Sequence, residues 1–442
     1  MRTRREHLIW FQRDLEPRAL DAASTREPAP VPTWIVGAVA FSVVLASTLY
    51  WTWNHTQLDF SVYLMGAKHL TDPRLYDVNL AFFPYLPFTY PPFAAAAFWP
   101  LSLFSLRVSQ CLGSLVNVVS LLAMIALTLN LLRPTWSLRA RLASSAALLA
   151  PAVLLEPVSL TFNFGQINLI LAAMVMADLT GHVTLARRTL PRGVLIGLCA
   201  GVKLVPLIFV PYLFFTRQRR AAYNAVGNFT ATVLLGTILN PRASWLYWTK
   251  YVVDANRIGG TVYLSNQSLR ASFDRLTHHT WGAVATTLMA LAVVVGGVAL
   301  ATWAWRVSSS LLGILTISTT GLLASPITWA HHLVWIVPVL LWLVGGRDRP
   351  RFGWVWAALG WWLFYRAPIW EASDVKYDEL REHGWTLLRA NSFFLAMVTF
   401  MVGVALMLGV RSRSRAASGA ATPPHVTTTS ETTDPNDSTA PA

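Results

Sequence analysis

Long apolar runs alternate with short polar stretches along most of this chain. Apolar segments of about 17–25 residues can cross the roughly 30 Å hydrocarbon core of a bilayer as helices. The pattern predicts about twelve such spans, some of them short. They cover residues 34–53, 93–106, 112–132, 142–155, 167–186, 193–215, 223–239, 281–305, 311–323, 329–344, 354–365 and 387–410. The expected fold class is therefore an all-α polytopic membrane protein.

Two regions of this pattern are irregular. Segments between residues 93 and 211 are short or interrupted by proline, as at Pro206. Re-entrant or half-length helices fit that region, and such helices normally line a cavity because their loose backbone groups need partners. In the loop at residues 55–92, aromatic residues alternate with prolines from Phe82 to Pro92. We expect this first outer loop to lie on the membrane surface as short amphipathic pieces.

Composition supports the membrane assignment and argues against a nucleic-acid partner. Hydrophobic residues make up 54% of the 442 residues, charged residues 13%, and the mean hydropathy is +0.46. Soluble domains carry roughly 25% charged residues. The net charge of +14 could suggest binding to nucleic acid. The arginines, however, cluster in short loops and tails, which is typical of orientation signals and of contact with anionic lipid.

The arginine clusters also predict topology and domain organisation. Six arginines precede Pro30, and the last predicted span ends at Arg411, Arg413 and Arg415. Both termini are therefore expected in the cytoplasm. We divide the chain into a cytoplasmic tail (1–32), a transmembrane domain (33–410) and a disordered cytoplasmic tail (411–442). The end of the first span then lies on the outer face of the plasma membrane.

Asp59 is the first carboxylate within the apolar part of the chain, a few residues beyond the first span. A carboxylate at the water–lipid boundary, followed by an aromatic and proline-rich loop, is suited to act as a general base on a membrane-bound substrate. Loss of solvent around such a group raises its proton affinity. The alternative interpretation is a solvated loop aspartate without a catalytic role.

Further polar residues on or near the same side suit a lipid-linked sugar phosphate. Candidate ligands of an anionic phosphate are Lys203, Lys250, Arg257, Arg270, His331 and His332. Candidates for hydrogen bonding or stacking with a sugar are Tyr63, Tyr90, Asn163, Gln166, Asn168, Asn266, Gln267 and Trp329. Structural alternatives remain for several of them. Lys203 could snorkel to the interface, Gln166 and Asn168 could join helices, and the histidines could form an interfacial pair.

Several common catalytic signatures do not occur in the sequence. It has no GxxxxGK[ST] phosphate loop, no HExxH and no GxSxG. The predicted outer loops also lack the paired Asp and Glu spacing expected for a metal-clamped diphosphate. A monophosphate donor is therefore favoured, and we expect neither a metal ion nor a cofactor.

A series of ordered segments resembles glycosyltransferase family 87. These segments are 58–63 (LDFSVY), 75–77 (LYD), 88–93 (FTYPPF), 164–168 (FGQIN), 197–206 (GLCAGVKLVP), 266–268 (NQS) and 325–332 (SPITWAHH). The family comprises actinobacterial polyprenyl-phosphate-mannose-dependent α-1,2-mannosyltransferases of the GT-C fold. Within it, the chain is most similar to members that extend phosphatidylinositol mannosides. The resemblance implies a GT-C fold for residues 33–410.

The resemblance also implies an activity and roles for individual residues. Mannose would pass, with inversion, from a polyprenyl-phosphate-mannose donor to a mannose of a phosphatidylinositol mannoside acceptor. The family's catalytic aspartate matches Asp59, its late histidine falls on His331 or His332, and Lys203 matches a basic position near the donor phosphate. Two alternatives remain open. One is a paralogue acting on lipomannan or arabinogalactan, with another acceptor or an arabinofuranosyl donor; the other is a transporter or flippase of lipid-linked sugars.

Overall fold

A computed structural model of the protein describes residues 31–181, 183–185, 188–372 and 378–420. Of the predicted tails (1–32 and 411–442), residues 1–30 and 421–442 lie outside the described residues. The α-helices are α1 (Val31–Asn54), α2 (Leu58–Lys68), α3 (Pro92–Phe98), α4 (Leu106–Leu132), α5 (Leu138–Val153), α6 (Glu156–Phe164), α7 (Asn168–Thr180), α8 (Val194–Val202), α9 (Phe209–Phe215), α10 (Arg219–Leu239), α11 (Pro241–Thr249), α12 (Leu269–Thr277), α13 (Ala283–Val307), α14 (Ser310–Ala324), α15 (Ile336–Gly345), α16 (Gly353–Arg366), α17 (Gly384–Ala390) and α18 (Ser392–Ala420).

Short elements connect these helices. The 3₁₀ helices are Trp99–Leu103, Val205–Ile208, Tyr251–Val253, Ala255–Arg257, Ala330–Trp335, Pro368–Glu371 and Asp378–Leu380. Strands β1 (Thr184–Leu185) and β2 (Arg188–Thr189) form one antiparallel pair between α7 and α8. The predominantly helical composition agrees with the apolar periodicity of the sequence.

Several helices have the length and composition needed to cross a membrane, as expected for a multi-pass membrane protein. Four helical segments meet both criteria in the described chain: Thr33–Asn54, Leu106–Leu132, Ala283–Val307 and Ser392–Arg413. The pair α5 and α6 would add a fifth if it counts as one span. Other predicted spans correspond to shorter apolar helical segments. These are Pro92–Leu103, Asn168–Thr180, Val205–Phe215, Ser310–Ala324 and Ala330–Gly345.

Breaks in the predicted spans lie at prolines, as the irregular sequence between residues 93 and 211 suggested. Helices α5 and α6 bend by 85° across the two residues between them, and Pro157 lies in the first turn of α6. The predicted span 193–215 is interrupted after Val202, because Lys203 has an extended backbone and Pro206 lies in the first turn of a 3₁₀ helix. Proline lacks the N–H that a continuous helix needs. Lys203 therefore lies in a break and not within a helix.

The expectation of a surface-lying first outer loop needs correction. Residues 58–68 form helix α2, whose side chains pack in the protein core; buried members include Phe60, Val62, Tyr63 and Leu64. In the rest of the loop, Phe88 is also buried. Removing apolar area from water favours packing of these side chains against the helix bundle. Exposed aromatic side chains remain only farther along, at Phe82, Phe83 and Tyr85.

Pairs of helices pack against one another around a common apolar core. Helix α1 packs against α5, α8 against α10, and α13 against α14. Close approach explains Gly37 on α1, because a Cβ there would lie 2.6 Å from the carbonyl oxygen of Ala143 on α5. Helices α2, α4 and α7 contribute buried residues to the same core, so the first outer segment is anchored to the helix bundle.

Candidate active site

Asp59 lies in the first turn of α2, just beyond the first membrane-spanning helix. Gln57, two residues before Asp59, is fully buried and fixes the start of the helix. The side-chain amide of Gln57 donates to the Phe162 carbonyl (2.6 Å) and to Ser114 Oγ (3.0 Å). The following residue, Phe60, is buried in the core. The carboxylate is therefore held by a rigid helix start and is not in a loose loop.

Gln166 bonds directly to Asp59. The side-chain Nε2 of Gln166 donates to Asp59 Oδ2 at 2.6 Å. Gln166 lies in the tight turn between α6 and α7, where Gly165 has a left-handed backbone (φ +68). A Cβ at Gly165 would lie 2.7 Å from the Phe60 Cβ, so both the conformation and the close contact with α2 require glycine. This turn brings the amide of Gln166 against α2.

Two tyrosines extend the network from Gln166. The Tyr63 hydroxyl donates to Gln166 Oε1 at 2.6 Å and lies 3.2 Å from the Tyr90 hydroxyl. Tyr63 is fully buried and stacks on Phe98, with ring centroids 4.5 Å apart. Because Tyr63 supplies its proton to the carbonyl oxygen of Gln166, the amide nitrogen of Gln166 points toward the carboxylate. The tyrosine thus sets the orientation of the amide.

Lys203 lies next to the histidine pair. Its Nζ donates to Asn168 Oδ1 and to His332 Nε2, both at 3.0 Å, and lies 5.9 Å from the centre of the Tyr90 ring. Since an ammonium group only donates, Nε2 of His332 carries the lone pair and its ring proton is on Nδ1. The Asn168 amide nitrogen donates to the His331 carbonyl at 3.0 Å. Asn168 therefore ties Lys203 to the backbone of the pair.

Asp59 is electrostatically prepared to accept a proton. Burial by the surrounding protein raises the pKa of this carboxyl group to about 6, although part of its surface stays accessible. The hydrogen bond from Gln166 and the positive charge of Lys203 act in the opposite direction and lower the pKa. The group is therefore ionised at neutral pH yet has a higher proton affinity than an ordinary aspartate, as a general base requires.

The two histidines differ in their surroundings. His331 is buried, and its ring meets Phe164 and His332 edge to face. In the described part of the chain, neither ring nitrogen of His331 has a hydrogen-bond partner. Buried polar atoms usually have a partner, so His331 is the histidine of the pair whose ring nitrogens no described protein contact occupies. His332, in contrast, is already bonded to Lys203.

Asn266 bonds to the protein and holds the segment that leads to the histidines. Its side chain donates to the Thr261 and Pro326 carbonyls and accepts from the Thr328 and Ser268 N–H groups. Asn266 also forms an isolated backbone bridge with Trp329. All of its side-chain hydrogen-bonding capacity is used internally, so these contacts give it a positioning role and leave no atom directed at a sugar.

Gln267 is likewise bonded internally. Its amide nitrogen donates to the carbonyls of Leu264 and Ala390, and its Oε1 accepts from Phe394 N–H. The fully buried Arg275 reinforces this region, with bonds to the carbonyls of Val262 and Asn266 and to Asn391 Oδ1. The side chains of Gln267 and Arg275 thus connect the segment 262–268 to the junction between the end of α17 and the start of α18.

The other predicted phosphate ligands contact residues outside the group around Asp59 and Lys203. Arg270 Nε lies 4.0 Å from the Asp274 carboxylate. Lys250 and Arg257 face the Tyr251 ring, at 5.4 and 4.3 Å from its centre. None of these contacts joins them to the Asp59 and Lys203 groups. Their proposed role with a donor phosphate therefore stays a prediction that no described contact supports.

Two predicted sugar-binding residues lie near the network without a polar bond to it. Asn163 is half-buried on α6, three residues before Gln166. Trp329 is also half-buried, and its ring lies 6.1 Å from that of Tyr263.

The sequence interpretation missed Asn117 on α4, which donates to the backbone carbonyl of Gln166 at 2.9 Å. An amide in an otherwise apolar spanning helix was the available signal.

No group of three or more His, Cys, Asp or Glu side chains suited to a metal occurs in the residues that the structure describes. The group of side chains around Asp59 and Lys203 comprises one carboxylate, one ammonium group, two imidazoles, and a network of amides and phenols. Such a set can accept a proton from a hydroxyl group at one end and neutralise an anionic group at the other.

Comparison with known proteins identifies the family to which the chain belongs. The profile of glycosyltransferase family 87 matches residues 88–326. The chain belongs to glycosyltransferase family 87. A polyprenol-phosphate-mannose-dependent alpha-(1-2)-phosphatidylinositol pentamannoside mannosyltransferase of Mycobacterium tuberculosis is 33% identical over 387 residues, covering 81% of this chain and 86% of the relative. No solved structure matches this family member.

Other family 87 relatives are similarly close. A second Mycobacterium tuberculosis protein, a polyprenol-phosphate-mannose-dependent alpha-(1-2)-phosphatidylinositol mannoside mannosyltransferase, is 33% identical over 345 residues, covering 72% of this chain and 77% of the relative. A Mycolicibacterium smegmatis protein with that same description is 31% identical over 426 residues, covering 88% and 92%. The resemblance seen in the ordered sequence segments is thereby confirmed at the family level.

Proposed function

We propose that this protein transfers mannose from polyprenyl-phosphate-mannose to the 2-hydroxyl of a mannose on a phosphatidylinositol mannoside. The product would carry a new α-1,2 linkage. The names of its relatives support this donor and acceptor class. The arrangement around Asp59 and Lys203 supports the chemistry.

One observation carries the proposal. Gln166 lies in the turn before α7 and bonds to Asp59, whereas Asn168 is the first residue of α7 and bonds to Lys203. A proton acceptor and a cation are thus held in fixed relation by two amides that are two residues apart. Glycosyl transfer with a phosphate leaving group requires both groups at once, because the incoming hydroxyl loses a proton while the phosphate gains charge.

The proposed reaction is a single displacement. Asp59 removes the proton from the acceptor 2-hydroxyl, and that oxygen forms a bond to the anomeric carbon of the donor mannose. The bond between this carbon and the phosphate oxygen breaks, and its electron pair remains on the phosphate. Attack opposite to the leaving group inverts the configuration, so a β-linked phosphate gives an α-linked product.

Lys203 and the histidines act on the leaving phosphate in this proposal. Lys203 uses two N–H groups for Asn168 and His332, which leaves a third donor for a phosphate oxygen. His332 fixes the direction of the ammonium group. His331, with unpaired ring nitrogens in the described structure, is the histidine available to bond a substrate.

The fold and topology complete the proposal. We assign residues 33–410 to a GT-C membrane domain with about twelve membrane passes, several of them short or broken like those around Lys203. Arginine-rich ends at both termini favour a cytoplasmic location for each. The start of α2 then faces the extracytoplasmic side, where Asp59 meets its substrates among membrane lipids.

Transfer by the purified protein tests the proposed function. The detergent-solubilised protein is incubated with phosphatidylinositol mannoside acceptors and, in separate reactions, with polyprenyl-phosphate-mannose or polyprenyl-phosphate-arabinofuranose, and the product linkage is determined by NMR. We expect a new α-1,2-linked mannose. Transfer of arabinofuranose instead would replace the donor assignment. Movement of the donor across liposomes without a new glycosidic bond would replace the enzyme by a transporter.

A further inference from the structure

A row of aromatic side chains leads away from the histidine segment. Trp329, two residues before His331, has its ring 6.1 Å from that of Tyr263, and the Tyr263 ring lies 6.3 Å from that of Trp370. Trp329 is half-buried, whereas Tyr263 and Trp370 are each 39% exposed. These three residues, called the aromatic row below, come from three separate segments between the long helices. The row therefore begins beside the candidate site and ends at the protein surface.

A hydrogen bond fixes the outer end of the row. The indole N–H of Trp370 donates to Glu156 Oε1 at 2.6 Å, and Glu156 is the first residue of α6. Glu156 is half-buried, so the indole is held from the side of the protein. This N–H is the only polar group of a tryptophan side chain. The exposed part of Trp370 is therefore ring surface in a fixed orientation.

Backbone contacts fix the inner end of the row. Trp329 forms an isolated backbone bridge with Asn266, whose side chain is bonded to the surrounding backbone. Gly259 lies against the edge of the Trp329 ring, because a Cβ added there would be 2.9 Å from Cζ2 of the indole. Gly259 also has φ +148, so the close approach and the backbone conformation both require glycine. Since both ends of the row are held, a ligand that stacks on it orders few protein side chains on binding.

Helix α6 relates the aromatic row to the candidate base. Glu156, the partner of Trp370, begins this helix, and Gln166, the partner of Asp59, follows two residues after its end. The nine residues of α6 span about 13 Å. That length exceeds a single pyranose ring and corresponds to a short oligosaccharide. A carbohydrate that reaches from Asp59 to Trp370 therefore contains several sugar units.

Charged side chains beside Trp370 indicate the chemistry of the ligand. Glu371, the next residue, pairs with Arg366 at 2.8 Å and with Arg389 at 3.4 Å, and all three side chains are partly exposed. Ionised groups are costly in hydrocarbon, so this surface does not face lipid chains. Fixed aromatic rings flanked by carboxylates and guanidinium groups suit a sugar. Its C–H face packs on the electron-rich face of a ring, and its hydroxyl groups bond to the charged side chains.

We propose that the aromatic row binds mannose units of the acceptor that lie between its reacting mannose and its lipid. This inference rests on the proposed function, because it takes the reacting 2-hydroxyl to lie at Asp59. The acceptor is the substrate with several sugars, whereas the donor carries a single mannose on its phosphate. The row would therefore determine how many mannose units an acceptor needs for efficient transfer.

Three variants separate stacking from structure. Trp370→Ala removes the outermost ring of the row. Trp370→Phe keeps an aromatic face but loses the N–H that bonds to Glu156, so it tests stacking without that hydrogen bond. Trp354→Ala is the matched control, since Trp354 is 62% exposed in the first turn of α16, whereas Trp370 follows the other end of that helix. Melting temperatures verify that each variant is folded.

The kinetic experiment compares a phosphatidylinositol dimannoside with a tetramannoside at a saturating concentration of the donor. We expect the wild type to prefer the tetramannoside, and Trp370→Ala to reduce this preference in kcat/KM by about tenfold, mainly through a higher KM for the longer acceptor. Trp370→Phe should keep most of the preference, and Trp354→Ala should keep all of it. An equal loss with both acceptors would assign Trp370 to the fold or the membrane surface and overturn the proposal. A preference that Trp370→Ala leaves unchanged would overturn it as well.

A binding experiment separates this inference from the transfer reaction. The methyl glycoside of a linear α-mannotetraose, which has neither lipid nor phosphate, is titrated against the full-length protein in nanodiscs without donor. Saturation-transfer difference NMR should show contacts to protons of the inner mannose units in the wild type and in Trp354→Ala, and binding about tenfold weaker in Trp370→Ala. No saturation transfer in the wild type, or an unchanged Kd in Trp370→Ala, would reject the aromatic row as a sugar site. Because no mannose is transferred, binding that persists in a protein without transferase activity would reject the proposed function alone.

Discussion

Gln166 donates a 2.6 Å hydrogen bond to Asp59 from a turn that lies more than a hundred residues farther along the chain. The same amide accepts from Tyr63, which fixes its orientation. A carboxylate that accepts one well-directed bond keeps its negative charge at neutral pH, while burial preserves its affinity for a proton. The base and its supporting amide therefore form one unit, and the predictions below separate their contributions.

Asp59→Asn should abolish most of the transfer activity without unfolding the protein. The asparagine has nearly the same shape as the aspartate, and its carbonyl oxygen can still accept a hydrogen bond from Gln166. An amide, however, does not take up a proton near neutral pH. General-base catalysis typically contributes about 10²–10⁴-fold, so we expect kcat to fall by at least about a hundredfold. The measurements are the rate of mannose transfer and the melting temperature. Near-normal turnover in this variant would remove Asp59 from the mechanism.

Activity should fall as the pH decreases below about 6, because Asp59 has a pKa of about 6 and only its ionised form can act as a base. Gln166→Leu removes a hydrogen bond that stabilises the ionised form and lowers this pKa. The pKa should therefore rise, and the acidic limb of kcat/KM should move to higher pH. Gln110→Leu is the matched control, since this buried glutamine bonds to Gln57 and not to Asp59. An unchanged limb in Gln166→Leu would contradict the coupling.

Much of the candidate site was predictable from polar residues in apolar surroundings. Asp59, Gln166, Asn168, Lys203 and the histidines stand out because an ionisable or amide side chain in such a segment needs a partner. The structure brings these residues into one connected network. The resemblance to glycosyltransferase family 87 pointed to the same segments, so two independent arguments from the sequence agree on their location.

Other parts could not be derived in this way. Polarity alone does not distinguish a side chain that awaits a ligand from one that holds the backbone, and Asn266 and Gln267 are of the second kind. The first outer segment contains enough aromatic residues and prolines to suggest a surface position. Burial of Tyr63 and Phe88 depends instead on tertiary contacts with distant helices, which local periodicity does not encode.

Lys203→Met should lower activity far more than Lys250→Met. Lys203 is bonded within the network, whereas Lys250 is exposed and contacts only a tyrosine ring among its described partners. Loss of a group that stabilises developing charge typically costs about 10²–10³-fold, so we expect such a decrease in kcat/KM for the donor. In the control Lys250→Met, kcat/KM for the donor should change by less than about threefold. Lys203→Met should also raise the pKa of Asp59, because it removes a neighbouring positive charge. Equal effects of the two substitutions would exclude a special role for Lys203.

Asn266→Ala should destabilise the protein and displace the histidine segment. The substitution leaves the Thr328 N–H and the carbonyl of Thr261 without their present partner. An unsatisfied buried polar group costs about 1–3 kcal/mol, so the melting temperature should decrease measurably. Asn256→Ala, at an exposed position, is the control and should melt like the wild type.

The same substitution also tests how the histidines are positioned. The segment from Pro326 to Ala330 is held by Asn266, Ser268 and Ser265 immediately before the histidines, through side-chain bonds to its backbone. If these bonds set the position of His331 and His332, Asn266→Ala should reduce kcat at a temperature where the variant remains fully folded. Circular dichroism verifies folding at the assay temperature. A stable variant with wild-type kcat would show that the histidines are positioned without Asn266.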